Sequence, residues 1–93
     1  MKAIFADTVI AESDRAVVVE ENHYFPEEDV ELKYLEASDL TTTCPWKGVA
    51  RYYHVVAGDK KATDAAWVYP QPKDKAAQIK GNFAFGKGVQ VVP

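Results

Sequence analysis

Valine dominates the aliphatic residues of this chain: twelve valines and three isoleucines stand against only three leucines. A branched Cβ loses χ1 freedom in a helix and packs well on a pleated sheet, so this composition favours β-structure. The apolar residues also fall in short runs bounded by turn residues, which is typical of strands. We therefore predict a mostly β (or β-rich α+β) fold, in which residues 1–93 form a single compact antiparallel β domain.

The clearest strand prediction is Val49–Val56, where Tyr52 and His54 share one face. A polar hairpin loop over 57–61 leads to a partner strand, Ala65–Tyr69, in which alternate residues from Ala65 onward should share a face. The Gly86–Gly88 stretch predicts a further hairpin between two closing strands.

Helical signals are sparse. Lys73–Lys80 is the one credible short helix, because it is rich in alanine and Gly81 is well placed to end it. Pro26–Val30 predicts a single helical turn, with proline at its start and carboxylates in its first turn. Glu31–Leu35 is predicted to be a strand or an irregular segment.

Several classes of function are disfavoured by composition. No apolar run is long enough for a transmembrane helix, and Asp7 follows the start too closely for a signal peptide. A single cysteine, Cys44, allows neither an internal disulfide nor a multi-cysteine zinc site. The sequence pI near 5.3 argues against a general nucleic-acid binder. We expect a cytoplasmic protein with no cofactor, no membrane partner and no nucleic-acid partner.

Charge is unevenly distributed along the chain. The segment from Asp7 to Asp39 contains eleven acidic and two basic residues, whereas the segment from Leu40 to Pro93 contains three acidic and eight basic residues. One interpretation is that the two halves pack with complementary surfaces. The other is an anion-binding patch on the C-terminal half. Its members would be Lys47, Arg51 and some of Lys73, Lys75 and Lys80.

The stretch Cys44-Pro45-Trp46-Lys47-Gly48 should form a turn that enters the strongest strand. Its thiol can be a small buried group, a redox sensor, or a thiolate nucleophile favoured by the Lys47 ammonium with His54 as base. Cys44, Lys47 and His54 are therefore the weak catalytic candidates. A metal site combining His23, His54, Cys44 and a carboxylate is a further alternative, although the spacing is not a zinc signature, and no metal is predicted.

Aromatic residues are numerous for so small a core. Tyr52, Trp67 and Tyr69 each carry a polar group, and they either belong to the core alone or also line a ligand cleft. Lys47 and Arg51, with Glu12 or Glu20, could converge on such a cleft. The candidate ligand-binding residues are Lys47, Arg51, Tyr52, Trp67 and Tyr69.

Five short motifs stand in a characteristic order along nearly the whole chain. They are Ala11-Glu12-Ser13, Tyr24-Phe25-Pro26 with Asp29-Val30, Cys44-Pro45-Trp46-Lys47-Gly48 with Ala50 and Tyr52, Ala66-Trp67 with Tyr69-Pro70, and Ile79 with Gly81 and Phe83-Ala84-Phe85. In these motifs the chain resembles the small bacterial family of unknown function numbered 427, which is also labelled nucleotidyltransferase-like. The resemblance implies a compact β-rich domain and no established reaction.

Binding of a small molecule or anion, in an aromatic cleft rimmed by Lys47 and Arg51, is the first functional hypothesis. The alternative is an enzyme, either thiol-based on Cys44 or a nucleotidyltransferase as the family label suggests, although no Asp-x-Asp spacing occurs. A third hypothesis is a protein interaction module that uses an exposed strand edge or the acidic Glu27–Glu36 face.

Overall fold

Nine strands make up most of the structure, a computed structural model that describes all residues from Met1 to Pro93. Every strand pairing is antiparallel, which confirms the β-rich single-domain prediction. The strands are β1 (Lys2–Phe5), β2 (Thr8–Glu12), β3 (Val17–Val19), β4 (Asn22–Tyr24), β5 (Leu35–Cys44), β6 (Gly48–Ala57), β7 (Lys60–Val68), β8 (Phe83–Phe85) and β9 (Gln90–Val92).

The strands form two sheets and one separate hairpin. The larger sheet has the order β5-β6-β7-β8 and the smaller one the order β2-β1-β9. The β3-β4 hairpin is joined to the larger sheet where Phe25 and Phe83 exchange two backbone hydrogen bonds of 2.7 and 2.8 Å. The hairpin thereby lies beside β8, over one face of the four-stranded sheet.

One face of the four-stranded sheet packs against the three-stranded sheet. Their shared interior is the first core, and Tyr53, Val55 and Ala57 are its contribution from β6. Alternation along β6 sends Ala50 and Tyr52 to the opposite face. The fully buried members of the first core are Ala3, Ile10, Phe25, Val55 and Ala66.

The opposite face of the sheet carries a second, smaller core. The β3-β4 hairpin and the segment after β7 cover it. Its buried members are Val19, Tyr24, Ala50, Tyr69, Ala76, Ile79 and Ala84, and Val17, Cys44, Trp46, Tyr52 and Trp67 pack against them. A single sheet therefore divides the molecule into an aliphatic and phenylalanine-rich side and a tyrosine- and tryptophan-rich side.

Both neighbours of β6 are bulged. The register of β5 shifts between Ala37 and Thr41, and that of β7 shifts between Ala62 and Ala66. The extra residues of β7 turn Ala65 into the first core, so the prediction that it shares a face with Trp67 and Tyr69 is wrong.

The helical predictions need two corrections. The predicted helix near 73–80 is a six-residue 3₁₀ segment, Asp74–Ile79, broken by a non-helical Ala76. Ala76 and Ile79 are buried in the second core, so packing against the sheet determines its shape. A 3₁₀ turn occurs at Glu27–Asp29, as predicted, but a second one, Leu32–Tyr34, replaces the expected strand or irregular segment. No helix in the structure has the length and apolar character to cross a membrane.

The predicted hairpin at Gly86–Gly88 is also wrong. Strand β8 pairs with β7, whereas β9 pairs with β1 in the other sheet, so the glycines carry the chain between sheets. Strand β5 was missed by the sequence reading. It is a largely exposed edge strand without apolar alternation, and so it carries no strand signature.

Candidate functional site

A buried lysine lies at the entrance to β6. The Lys47 side chain is only 9% exposed, and its Nζ donates a short hydrogen bond to Glu20 Oε1. Glu20 lies in the turn of the β3-β4 hairpin, 27 residues earlier in the chain, and its side chain is 52% exposed. The predicted convergence of Lys47 with Glu12 or Glu20 is thus realised with Glu20, while Glu12 borders a separate acidic depression.

Aromatic rings surround the Lys47 ammonium. Its Nζ lies 5.3 Å from the centroid of the Trp46 ring and 5.6 Å from that of Tyr69. Both distances are within the range of cation–π attraction. The cation is therefore held by one carboxylate and two ring faces in a place that water scarcely reaches.

The electrostatics keep this pair ionised. The hydrogen bond from Lys47 holds the pKa of Glu20 below its ordinary value. Burial opposes the charge of Lys47, but the hydrogen bond to Glu20 and the nearby phenols outweigh it, and the Lys47 pKa is raised. Burial also raises the pKa of Tyr69, against the opposing effect of the Lys47 cation. Lys47 is thus an ammonium at neutral pH and cannot act as an amine nucleophile.

The other aromatic candidates lie on the same side of the sheet. Tyr52 and Trp67 face each other across β6 and β7, with ring centroids 6.0 Å apart, and both are half-buried. Trp67 Nε1 donates to the hydroxyl of buried Tyr24 at 3.2 Å, which links β7 to the hairpin. The rings of Tyr24 and Tyr69 are 6.5 Å apart. Four of the five predicted ligand residues, all but Arg51, therefore belong to the second core or pack against it.

The catalytic candidates do not form a thiol site. Cys44 is a free, half-buried cysteine that packs against the second core, and the ammonium expected to activate it is bonded to Glu20. His54 Nδ1 accepts a 3.0 Å hydrogen bond from the backbone N–H of Asp64, and Ser38 donates to the Asp64 carboxylate. His54 therefore lies in β6 and is bonded to the bulge of β7, and it takes part in no nucleophile–base pair with Cys44.

No group of three or more His, Cys, Asp or Glu side chains is close enough to bind a metal ion. The alternative site that would combine His23, His54 and Cys44 is consequently not assembled.

Arg51 lies on the opposite face of β6 from Tyr52, exposed to solvent, and so the predicted common rim of Lys47 and Arg51 is not formed. It borders a surface groove of about 410 Å³, the largest cavity in the molecule. We call this cavity the Arg51 groove. Its lining residues are Val49, Arg51, Tyr53, Val68, Pro70 and Gln71.

The Arg51 groove is the part of the inner sheet face that the three-stranded sheet leaves uncovered. Arg51 is the register partner of Val68, while Tyr53, two residues further along β6, already packs against the first core. The Tyr53 ring is fixed edge-on against Phe83, with centroids 5.5 Å apart. The groove thus has a floor that includes the apolar side chains of Val49 and Val68 and the Tyr53 ring, and it has one cationic group.

Sequence reasoning named Arg51 but missed the rest of this groove. Val49, Arg51 and Tyr53 are every second residue of one strand, and this spacing was the sequence pattern that could have predicted their common face. The part played by Pro70 and Gln71 depends on the chain path after β7, where the Lys73 N–H donates to the Lys47 carbonyl at 2.9 Å.

Ion pairs connect the acidic and basic halves of the chain at two points. These are Lys47 with Glu20 and Lys61 with Glu36. Lys73 instead donates to the Pro45 carbonyl at 2.7 Å. The complementary packing interpretation therefore accounts for Lys47, whose ammonium is paired with Glu20 on the side of the sheet opposite Arg51.

The fold and these two features define a small antiparallel β domain with an ion pair between buried Lys47 and exposed Glu20 on one side of its main sheet and a cationic groove on the other. The profile of the family described as Domain of unknown function (DUF427) matches residues 1–92, and the chain belongs to that family. This confirms the resemblance seen in the sequence. No curated protein matches the chain.

Proposed function

We propose that the protein binds a small organic anion in the Arg51 groove. The observation that carries this proposal is the state of Arg51 itself. Its guanidinium forms no ion pair in the structure, although it stands over an apolar floor in the largest cavity. Asp39 lines a neighbouring cavity together with Arg51 but lies beyond ion-pair distance.

The groove favours an anion attached to a flat apolar group. A guanidinium offers paired N–H donors that match a carboxylate or a phosphate. Val49, Val68 and the Tyr53 ring supply apolar contacts, and the exposed Gln71 amide adds one adjustable polar contact. The volume is in the range of small-ligand sites, which accommodates one ring and its acidic substituent.

The acidic depression beside β2 provides the contrast. Its lining includes Glu12, Glu28, Asp29 and Glu31, and Arg15 pairs only with Glu28 and Asp29, so the depression keeps a net negative charge and would repel the same ligand. Selection of an anion therefore points to the Arg51 side of the molecule. A cytoplasmic location, as expected from the sequence, is part of this proposal.

Benzoate, benzamide and benzamidine are suitable probes because they share a ring and differ in charge. Titration of ¹⁵N-labelled protein should move the amide signals of Val49, Arg51 and Gln71 with benzoate, at millimolar affinity, and hardly at all with the other two. Arg51→Gln should weaken benzoate about fivefold to tenfold, the effect of losing one charge-assisted contact near the surface.

Lys87→Gln is the matched control, because it removes one exposed cation from the loop before β9. Equal binding of benzamide and benzoate would contradict the proposal. So would equal losses of affinity in Arg51→Gln and Lys87→Gln, because the effect would then come from net charge alone.

A further inference from the structure

We propose that Lys47 is the centre of a second anion site, one for a small carboxylate, which the side chain of Glu20 occupies in the free protein. This inference concerns the opposite face of the main sheet and does not depend on the Arg51 groove. It is based on the burial of Lys47, the exposure of its partner and the backbone conformation that brings that partner into place.

Lys47 is built as a receptor for one negative group. Its side chain is 9% exposed, its ammonium is flanked by the Trp46 and Tyr69 rings, and Glu20 is its only ion-pair partner. A buried ammonium without an anion is costly. The space beside Nζ therefore has to hold a carboxylate, either from the chain or from a ligand.

Glu20 reaches that space from a strained turn. Glu20 and Glu21 have φ angles of 53° and 69°, and they are the two central residues between the paired Val19 and Asn22. Such a turn favours asparagine and glycine, and its left-handed conformation is unfavourable for other residues. Two glutamates are unfavourable in such a turn, and the contact with Lys47 is the compensating ion pair that Glu20 makes there.

Glu20 also lies on the solvent side of the pair. Its side chain is 52% exposed, whereas that of Lys47 is not, so withdrawal of Glu20 opens a direct path from water to the ammonium. The hairpin that carries Glu20 has strands of only three residues. These two strands form a sheet of their own and belong to neither main sheet. Displacement of the Glu20 side chain would therefore leave both main sheets intact.

The surroundings of Lys47 select the ligand. An ammonium is a compact point charge, and the half-buried Trp46 ring can stack against a small flat group. Formate, acetate and short carboxylates fit the volume that one glutamate carboxyl group leaves. A bulky phosphate dianion does not match a position shaped for a monoanionic carboxyl group.

Chemical rescue tests the site. Glu20→Ala removes the internal carboxylate and should lower Tm, and sodium formate at about 100 mM should raise that Tm by about 3–6 °C relative to sodium chloride at equal ionic strength. The Trp46 indole N–H signal should move in the same titration. The parent protein, whose site is filled, should gain much less from formate.

The double variant Glu20→Ala/Lys47→Met is the matched control and should show no formate effect. If Glu20→Ala does not fold, Glu20→Ala combined with Glu21→Gly also leaves the carboxyl position empty and makes the turn more favourable, and the same rescue is expected. Equal stabilisation of the single and double variants, or equal effects of formate and chloride on a folded single variant, would overturn the inference.

Arg51→Gln separates this site from the proposed function. The formate rescue should persist in Glu20→Ala/Arg51→Gln, where benzoate binding in the Arg51 groove is weakened. If the rescue is lost in that variant, formate acts through Arg51. That result would overturn the proposed Lys47 site and leave the proposed function of the Arg51 groove standing.

Discussion

The Lys47 ammonium is bonded to the Glu20 carboxylate across the second core, and the two partners differ sharply in exposure, at 9% and 52% of their side chains. The pair joins the turn that begins β6 to the tip of the β3-β4 hairpin. Because only one partner is buried, the two ends of this contact should respond differently to mutation.

We expect Glu20→Gln to lower Tm more than Lys47→Met does. The first variant leaves a buried ammonium without its anion, whereas the second leaves a carboxylate that water can hydrate. Thermal unfolding of both variants measures the difference. Lys61→Met and Glu36→Gln, from an exposed pair, should barely change Tm, and a larger loss in Lys47→Met than in Glu20→Gln would contradict the burial argument.

Stability should fall in acid because two carboxylates titrate below their ordinary values. The Glu20 pKa is lowered from 4.5 by the hydrogen bond from Lys47, and the Asp29 pKa is lowered from 3.8 by hydrogen bonds from Ser13 and Arg15. A lowered folded-state pKa stabilises the fold above the unfolded value, and the gain is lost as pH falls through the folded value.

Urea unfolding between about pH 2 and pH 7 checks this dependence. Glu20→Gln should flatten part of the acid slope, because the variant has no titrating group there. At the alkaline end the signs are reversed: the raised pKa values of Lys47 and Tyr69 give stability below pH 10 that is lost as pH rises through the folded values. An unchanged acid slope in Glu20→Gln would assign the acid loss to other groups.

Removing either partner of the hydrogen bond between Trp67 and Tyr24 should also give unequal losses of stability. Tyr24 is fully buried and Trp67 is half-buried, so Trp67→Phe strands a phenol hydroxyl, whereas Tyr24→Phe leaves an indole N–H near water. We expect Trp67→Phe to cost about 1–3 kcal/mol and Tyr24→Phe less. Trp67→Ala, which also loses ring packing, should cost about 3 kcal/mol.

Chemical denaturation of the two Phe variants and their combination forms a double-mutant cycle. The combination should be less unstable than the sum of its parts, because neither polar group is then left alone. Strict additivity would mean that the hydrogen bond contributes nothing to the fold.

Gly48→Ala should destabilise the entrance to β6. Gly48 has a φ of 111°, and an added Cβ would lie 3.5 Å from the Gln71 carbonyl oxygen and 3.6 Å from the Lys73 nitrogen. We expect a loss of about 1–3 kcal/mol from the backbone conformation. Gly58→Ala, at φ 60° with open space around it, should cost less in the same denaturation measurement.

The sequence predicted β-structure through its valines because a branched side chain acts locally, at its own χ1 and on its own strand. Alternation along the strands also accounts for Tyr52 on one face of β6 and for Trp67 and Tyr69 on one face of the partner segment. It does not account for Lys47, which precedes β6 at the same spacing as Arg51 and yet lies on the Tyr52 side. The 3₁₀ turn at Glu27–Asp29 followed from proline and adjacent acids.

Only the tertiary structure decided which groups meet. The pairing of Lys47 with Glu20 depends on the hairpin folding over the sheet, and the separation of Arg51 from Lys47 follows from their opposite sides of that sheet. The bulge that turns Ala65 inward and the crossover at Gly86–Gly88 depend on contacts with strands distant in sequence. Local propensity determines that a segment is extended, whereas register and sheet membership are set by burial against partners far along the chain.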